Sequence, residues 1–209
     1  MKKDKISEII KLLKKEYPEA KTELKFENPF QLLIATILSA QTTDNLVNKV
    51  TEKLFKKYKS PQDFVKAGVE NLMEDIKSVN FYRNKAKNIV KMCEKIIKEY
   101  NGNVPQSLEE LVKLPGVARK TANVVLSQAF GKAEGIVVDT HVRRVSQRLG
   151  LTENQDSEKV EQDLMNLLPK KEWISFPFRL ILHGRRVCKA KNPDCENCIL
   201  KKLCPSYKK

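Results

Sequence analysis

The sequence predicts an all-α protein. Nearly every segment repeats apolar residues with helical period, and none alternates apolar and polar residues as a half-buried strand does. Helix start and stop signals separate the periodic segments. The seven glycines and nine prolines are spread singly over the 209 residues, which argues against a low-complexity chain. We therefore expect helices along the whole sequence.

The first half of the chain is expected to form four helices. The N-terminal stretch carries an apolar stripe at Ile6, Ile9, Ile10, Leu13 and Tyr17. The run FQLLIATILSA is apolar on almost all sides and predicts a central buried helix. The residues expected to open or cap this helix and the next two are Asn28-Pro29, Thr43 or Asp44, and Ser60-Pro61.

The second half is expected to continue in the same way. A long apolar stripe from Ala86 to Tyr100 predicts a helix that ends at Asn101-Gly102. Ser107-Leu108-Glu109-Glu110 resembles a capping box and predicts a short helix that breaks at Pro115-Gly116. A new helix after this break is expected to run to about Gly131, and the remaining helices are expected at roughly 140–149, 157–168 and 177–187.

The charge balance is strongly basic. Lys and Arg outnumber Asp and Glu by 40 to 26, a formal net charge of +14, and the sequence pI is near 9.5. Such an excess indicates a polyanionic partner, with nucleic acid ahead of a membrane surface, although a generally lysine-rich proteome would give the same balance. The sequence contains no apolar run of the ~20 residues that a membrane span needs. The amphipathic, partly acidic N-terminus is unlike a signal peptide, so we expect a cytosolic protein.

The segment LPGVARKTA at 114–122 predicts a helix, a tight turn and a second helix. A Pro-Gly turn directly before a helix exposes the free N–H groups at the helix N-terminus, which carries a partial positive charge and binds phosphate. Lys113, Arg119 and Lys120 lie around this end. An ordinary helical hairpin with solvated lysines would have the same spacing.

Four of the five cysteines lie within 17 residues near the C-terminus, spaced C-x6-C-x2-C-x5-C: Cys188, Cys195, Cys198 and Cys204. In a cytosolic protein such a group indicates a metal site rather than disulfides. Zinc and a [4Fe–4S] cluster both accept four thiolates, so the number of ligands does not separate them. Cys93 lies on the apolar stripe of its helix, and we expect it to be buried and inert.

Together these motifs resemble the endonuclease III family of DNA glycosylases. LPGVARKTANVVL is similar to the family's helix–hairpin–helix, VDTHV at 138–142 to its acidic motif, and LSAQTT at 38–43 to its early buried-helix motif. The cysteine spacing is that of the family's iron–sulfur loop. One position departs from the family's hairpin motif. The family commonly has a second glycine in the hairpin where this chain has Ala118. Alanine keeps the backbone N–H but adopts a positive φ only with strain.

The resemblance implies two helical domains with a cleft between them. A six-helix domain would cover 22–132 and contain the helix–hairpin–helix at about 107–130. Residues 1–21 would join 133–209 in a second domain, in which Cys188, Cys195, Cys198 and Cys204 hold one [4Fe–4S] cluster.

The function implied is base excision repair of double-stranded DNA that contains damaged pyrimidines or abasic sites. Lys120 would be the nucleophile of a bifunctional glycosylase and abasic-site lyase, and Asp139 would be an essential catalytic carboxylate. From the residues alone, Asp139 is better explained as a plain helix N-cap for residues 140–149, and the two roles are compatible. A monofunctional mismatch glycosylase of the same superfamily and a non-enzymatic iron–sulfur DNA-binding protein are the alternatives.

The resemblance also implies DNA contacts. Gln41 would fill the gap left in the duplex, although it could instead cap the buried helix, and Phe81 would insert an apolar side chain unless it belongs to the core. The other DNA-binding residues expected are Leu114, Gly116, Ala118, Arg119, Thr121, His141, Lys201 and Lys202. The last two belong to a C-terminal segment, 183–209, with eight Lys or Arg against two acidic residues. We expect a monomer in a prokaryotic cytoplasm, associated with the nucleoid.

Overall fold

The computed structural model describes residues 2–207 and divides into two compact units. The central unit contains Glu23–Glu134, and the terminal unit contains the residues up to Thr22 together with those from Gly135 onward. The described residues form helices and turns and contain no strand, so the all-α prediction is confirmed. None of the helices in this range is long and apolar enough to cross a bilayer.

Ten α-helices follow one another along the described chain. They are α1 (Lys2–Glu16), α2 (Pro29–Ser39), α3 (Asp44–Lys57), α4 (Pro61–Asp75), α5 (Tyr82–Tyr100), α6 (Leu108–Leu111), α7 (Arg119–Ala129), α8 (Thr140–Arg148), α9 (Ser157–Leu167) and α10 (Ser175–Arg186). Two short 3₁₀ turns, Lys170–Glu172 and Lys201–Leu203, complete the described structure.

In the central unit, α2 is the buried helix that its sequence predicts. Residues 30–38 are all buried, and α2 packs against α3, α5 and α7. A helix that is apolar on every side is stable only when neighbours surround it, which explains this arrangement. The interior position of α2 fixes where its C-terminal turn, which contains Gln41, meets the start of α5.

The predicted N-caps are confirmed in this unit. The side chains of Asn28 and Thr43 accept hydrogen bonds from the backbone N–H groups of Gln31 and Leu46. Ser60 and Asp63 form a reciprocal capping box at the start of α4. These caps satisfy N–H groups that a helix leaves without an internal partner, so they mark where each helix begins.

Two features of the central unit were not predicted. Helix α4 is interrupted at Gly68, whose φ of 76° lies in the left-handed region that glycine adopts without strain. The short helix α6 ends at Leu111, several residues before Pro115, because its last residues tighten into turns. The cap at Ser107 is as expected, and its hydroxyl also donates to the carboxylate of Glu110 at 2.9 Å.

The terminal unit has its own core. Helix α10 packs against α1 and α8, and the buried side chains at their contacts include Ile9, Leu13, Val142, Phe176 and Leu180. A buried ion pair joins Arg179 to Glu172 at 3.0 Å, and Lys14 donates to the same carboxylate at 2.6 Å. This network ties α1 to the segment that leads into α10, so the N-terminal helix is part of the unit that carries the four clustered cysteines.

Candidate functional site

The turn before α7 has the backbone geometry expected of a tight hairpin. The N–H of Val117 donates to the carbonyl of Leu114 at 3.1 Å, and Gly116 has a φ of 78°. A Cβ atom at Gly116 would lie 2.9 Å from the Cβ of Asn88 and 3.3 Å from its amide nitrogen. Both the left-handed conformation and this close approach require glycine at position 116.

Ala118 is the N-cap of α7, and its backbone is extended, with φ −82° and ψ 164°. Alanine therefore adopts this conformation without strain, which settles the question that its departure from the family pattern raised. Its methyl group cannot accept a hydrogen bond. The N-cap residue therefore supplies no side-chain partner to the first turn of α7, and a helix N-terminus favours an anion.

Lys120 is exposed at the second position of α7, next to the half-buried Arg119. The first N–H group of α7 with a partner inside the helix is that of Ala122, which donates to the carbonyl of Ala118 at 3.0 Å. A flexible amine beside the positive end of a helix can reach a ligand bound there. The geometry therefore combines an anion-binding feature and an accessible amine.

Two hairpin residues that we expected to bind DNA are buried. The Leu114 side chain is in the core, and its N–H and carbonyl are both used in turns, bonded to Leu111 and Val117. The side chain of Thr121 is also buried. These side chains pack the hairpin, because the apolar face of a short helix turn must be covered, and DNA contacts by Leu114 and Thr121 stay a prediction.

Asp139 is the N-cap of α8 and belongs to the terminal unit, whereas Lys120 belongs to the central unit. Its Oδ1 accepts a hydrogen bond from the N–H of Val142 at 2.8 Å. The carboxylate is half-buried, and the preceding Val138 is buried. One carboxylate oxygen is thereby fixed, which orients the other.

His141 follows in the first turn of α8 and is half-buried. Its Nδ1 lies 3.1 Å from Nη2 of Arg144, and burial, with a smaller contribution from this guanidinium, lowers the pKa of the His141 imidazole. The Cβ of His141 would be 3.1 Å from a Cβ at position 184, so Gly184 permits the close packing of α8 on α10. These contacts give His141 a packing role in the terminal unit.

Gln41 and Phe81 are both exposed and both have a positive φ, 55° and 58°. The side-chain amide of Asn80 donates to the carbonyl of Gln41, so the two segments are in direct contact. Phe81 is 61% exposed, which corrects the alternative that it belongs to the core. Among the described residues, only Phe81 and Val112 are large apolar side chains that are exposed.

Cys188, Cys195, Cys198 and Cys204 together line a cavity of about 230 Å³ in the terminal unit. Among residues 2–207, no three His, Cys, Asp or Glu side chains converge as ligands of a single metal ion. The cavity exceeds the volume of one water, ~30 Å³, several-fold and so offers room for a group larger than one ion. Cys93, in the central unit, is fully buried as predicted, and burial raises the pKa of its thiol to about 12.

Two N–H donors and one histidine ring nitrogen lie against cysteine sulfurs in this cavity. Arg148 donates to Sγ of Cys188 at 3.3 Å, and the backbone N–H of Leu200 approaches Sγ of Cys198 at 3.4 Å. The buried His183 places Nε2 3.5 Å from the same sulfur. Donors directed at sulfur stabilise thiolates, so the surroundings of these cysteines fit metal-ligating thiolates.

Two arginines of α8 hold the beginning of the cysteine loop. Arg144 donates to the carbonyls of Gly184 and Cys188, and Arg148 donates to those of Lys189 and Ala190. Neither arginine is predicted from the sequence to have this role. Their spacing of four places both on one helix face, which is the signal that could have indicated a shared role.

The basic residues that follow the cysteines lie on a 3₁₀ turn. Lys201 is half-buried, and its Nζ donates to the carbonyl of Glu196 at 2.7 Å, which ties it to the loop. Lys202 is exposed. Of the two, Lys202 has the freer access to an external anion.

Comparison with known proteins gives consistent results. The family model described as "HhH-GPD superfamily base excision DNA repair protein" matches residues 34–170. The chain is 53% identical to endonuclease III of Synechocystis sp. over 98% of its length and 94% of that protein. It superimposes on a structure of a trapped endonuclease III–DNA covalent intermediate with a TM-score of 0.93 and 50% identity, covering 98% of this chain and 96% of that one.

A structure of a thermostable thymine-DNA glycosylase is also similar, with a TM-score of 0.88 but only 26% identity, over 98% of this chain and 97% of that one. Both solved structures share the helical architecture described above. The much higher identity to endonuclease III distinguishes the two likenesses. The chain belongs to the endonuclease III family, within the HhH-GPD superfamily of base excision DNA repair proteins.

Proposed function

We propose that this protein is a bifunctional DNA glycosylase and abasic-site lyase that removes oxidised pyrimidines from double-stranded DNA. Membership of the endonuclease III family supports the reaction class. The observation that carries the assignment is the exposed Lys120 at the second position of α7, a helix whose N-cap residue, Ala118, makes no side-chain cap hydrogen bond. A monofunctional glycosylase would not need a nucleophilic amine at this position.

Lys120 forms the covalent link to DNA in this proposal. Its neutral amine attacks C1′ of a nucleotide that has been rotated out of the duplex, and the bond from C1′ to the base breaks. Opening of the sugar ring gives a Schiff base between Nζ and C1′. The iminium acidifies the adjacent C2′, and loss of a C2′ proton expels the 3′ phosphate. One lysine thus supports both base removal and strand cleavage.

Asp139 assists base removal. Its carboxylate stabilises positive charge that develops on the sugar as the base departs, and it helps proton transfer. The hydrogen bond from the N–H of Val142 holds the carboxylate in one orientation. The capping role and the catalytic role are therefore compatible in the same side chain.

The remaining contacts bind DNA. The backbone N–H groups at Gly116, Ala118, Arg119 and Thr121 bind one phosphate, and Leu114 keeps the turn in place through packing. Gln41 fills the gap that the flipped nucleotide leaves, and Phe81 enters the duplex beside it. His141, Lys201 and Lys202 contribute contacts to the DNA backbone. The protein acts as a monomer in the cytoplasm, on the nucleoid.

We further propose that Cys188, Cys195, Cys198 and Cys204 hold one [4Fe–4S] cluster. The cavity that they line and the N–H donors around Cys188 and Cys198 support this assignment. A bound cluster supplies the covalent links that hold this loop, where helical structure is short. Anaerobically purified protein is expected to contain iron and inorganic sulfide in near-equal amounts.

Replacement of any of the four proposed ligands by serine is expected to remove the iron, the solubility, or both. The matched control is Cys93→Ala, which keeps the iron and lowers the stability by about 1–2 kcal/mol, since only buried packing is lost. Metal and sulfide analysis measures the iron and the inorganic sulfide in each variant. One equivalent of zinc in the wild-type protein would contradict the cluster.

The function is tested by trapping with borohydride on a duplex that contains an abasic site. Wild-type protein is expected to form a covalent complex, because borohydride reduces the Schiff base at Lys120. Lys120→Gln should form none, and its strand cleavage should fall at least about 10³-fold. Lys113→Gln is the matched control, since Lys113 lies in the same hairpin, is exposed and pairs with Glu109. Base release by wild-type protein without a trapped complex would favour a monofunctional glycosylase.

A further inference from the structure

Lys85 is a buried lysine that the proposed reaction does not use. It lies on α5 beside the buried Ala86, and only 7% of it is exposed. Burial lowers the pKa of its ammonium to about 8, because the charged form loses solvation. Such a group is costly inside a protein unless hydrogen bonds compensate it, so its partners indicate what it does.

These partners are at the C-terminus of α2. The ammonium donates to the carbonyl of Leu38 at 2.8 Å and to that of Ala40 at 2.6 Å, and it lies 3.4 Å from the hydroxyl of Thr42. The last carbonyls of a helix lack internal partners and carry a partial negative charge, which favours a cation. Lys85 therefore closes the end of α2 directly around Gln41.

Gln41 needs this support because its backbone is left-handed, with a φ of 55°. That conformation is strained for a residue other than glycine and persists only where the surroundings hold it. Lys85 binds the residues on both sides of Gln41, and Asn80 donates to the carbonyl of Gln41 itself. The turn is thus held at three successive residues.

Lys85 also contacts the second exposed segment. Its backbone N–H donates to the carbonyl of Phe81 at 3.1 Å. Phe81, like Gln41, has a left-handed backbone and points a large side chain to solvent. One residue therefore joins the two segments, through its side chain to the turn of Gln41 and through its backbone to Phe81.

We propose that Lys85 is a positioning residue that, together with Asn80, holds Gln41 and Phe81 as one preformed wedge for the DNA duplex. This inference rests on the proposed glycosylase function. A wedge engages DNA where a nucleotide has left the stack, whereas phosphate contacts are the same on any duplex. Lys85 should therefore determine the preference for lesion DNA and leave binding of undamaged DNA unchanged.

The test compares two dissociation constants for Lys85→Met, which keeps the length of the side chain and removes its charge. One duplex contains a tetrahydrofuran abasic-site analogue, and the other is undamaged with the same flanking sequence. We expect the affinity ratio between them to fall at least tenfold, with undamaged binding within twofold of wild type. A 2-aminopurine opposite the abasic analogue should lose most of the fluorescence change that wild-type protein induces, because it reports local stacking.

Three further variants make the test specific. Lys91→Met removes the same charge from an exposed position of α5 and should keep the affinity ratio. Asn80→Ala, at an exposed position, should lower the ratio by a smaller factor. In a Gln41→Ala background, Lys85→Met should change the ratio by less than twofold, since the residue through which it acts has been removed.

A folded Lys85→Met protein with an affinity ratio within twofold of wild type would overturn the proposal. Equal weakening on both duplexes, or an effect that adds fully to that of Gln41→Ala, would overturn it as well. If Lys85→Met does not fold, an unchanged ratio for Asn80→Ala is the overturning result. Wild-type protein that fails to distinguish the two duplexes would instead refute the proposed function, and this outcome is visible before any variant is made.

Discussion

The N-termini of α7 and α8 differ in whether the side chain of the N-cap residue accepts a hydrogen bond from a backbone N–H group. At α8 the carboxylate of Asp139 accepts the N–H of Val142, so the helix end is satisfied by its own side chain. At α7 the N-cap is Ala118, whose methyl group can accept nothing. The first end is closed and contains a carboxylate, and the second is open and contains an amine, that of Lys120. The difference separates a helix end that its own N-cap side chain satisfies from one at which we propose a phosphate contact.

The rest of the described chain supports this interpretation. Side chains cap six helices there, at Asn28, Thr43, Ser60, Ser107, Asp139 and Asp156. Within the same residues, α5, α7 and α10 begin at Phe81, Ala118 and Ile174, which have no side-chain acceptor. Helix α10 follows closely on a 3₁₀ turn, whereas α5 and α7 begin at the two segments for which we propose DNA contacts. The missing caps therefore coincide with proposed function.

Among the N-cap variants, the largest effect is expected at α8, for Asp139→Asn. Asparagine caps a helix about as well as aspartate, so the fold and the DNA affinity should remain, while base excision slows about 10²-fold or more because the negative charge is gone. Single-turnover rates on an oxidised-pyrimidine duplex measure this. The control Asp139→Ala should show the same loss of rate and a further loss of about 1 kcal/mol in stability. Rates near wild type for Asp139→Asn would show that Asp139 acts only as the N-cap of α8.

The second prediction closes the open end of α7 with Ala118→Asp. The extended backbone of Ala118 suits an N-cap, so the new carboxylate should accept hydrogen bonds from the N–H groups of the first turn and stabilise the helix by about 0.5–1 kcal/mol. The same carboxylate should compete with a phosphate, and we expect DNA affinity to fall about tenfold or more. Thermal unfolding and binding titrations measure the two effects, which have opposite signs.

Two neutral variants separate the effect of an added N-cap from the effect of an added negative charge. Ala118→Ser supplies a cap without a negative charge and should weaken DNA binding less than Ala118→Asp. Ala118→Gly supplies no cap and should bind DNA like wild type, because the backbone does not require a positive φ at this residue. If Ala118→Asp is more stable and still binds DNA with wild-type affinity, the open end is not a phosphate site.

Local signals made much of this fold predictable. The caps at Asn28, Thr43 and Ser60 depend on residues within four positions of one another, so the sequence contains all the information needed to place them. The contacts of Lys85 and of Arg148 join residues about 40 or more positions apart, and no periodicity encodes such partners. Lys85 nevertheless had one detectable signal, since it lies four residues before the buried Ile89 on the apolar stripe of α5.

The same contrast between local patterns and long-range contacts applies to the candidate site. The hairpin glycine, the exposed amine and the cysteine spacing are local patterns, and the sequence identified all of them. The burial of Leu114 and Thr121 could not be predicted, because a residue inside a motif can bind a ligand or pack behind it with the same sequence. The backbone conformation of Ala118 likewise could not be predicted from the sequence, because a positive and a negative φ are compatible with the same motif.

The smallest effect is expected for Asp156→Ala, at a capped helix for which we propose no function. Asp156 is exposed, and its carboxylate accepts the N–H groups of Glu158 and Lys159 at 3.1 and 3.0 Å. Its loss should cost about 1 kcal/mol, which lowers Tm by roughly 2–4 °C for a chain of this size. Asp156→Asn should restore the wild-type Tm, because asparagine can accept the same hydrogen bonds. Borohydride trapping and lesion affinity should be unchanged in both variants, since this cap only stabilises α9. A lowered rate of trapping in folded Asp156→Ala would show that closed helix ends also affect function, and the distinction between α7 and α8 would then not hold.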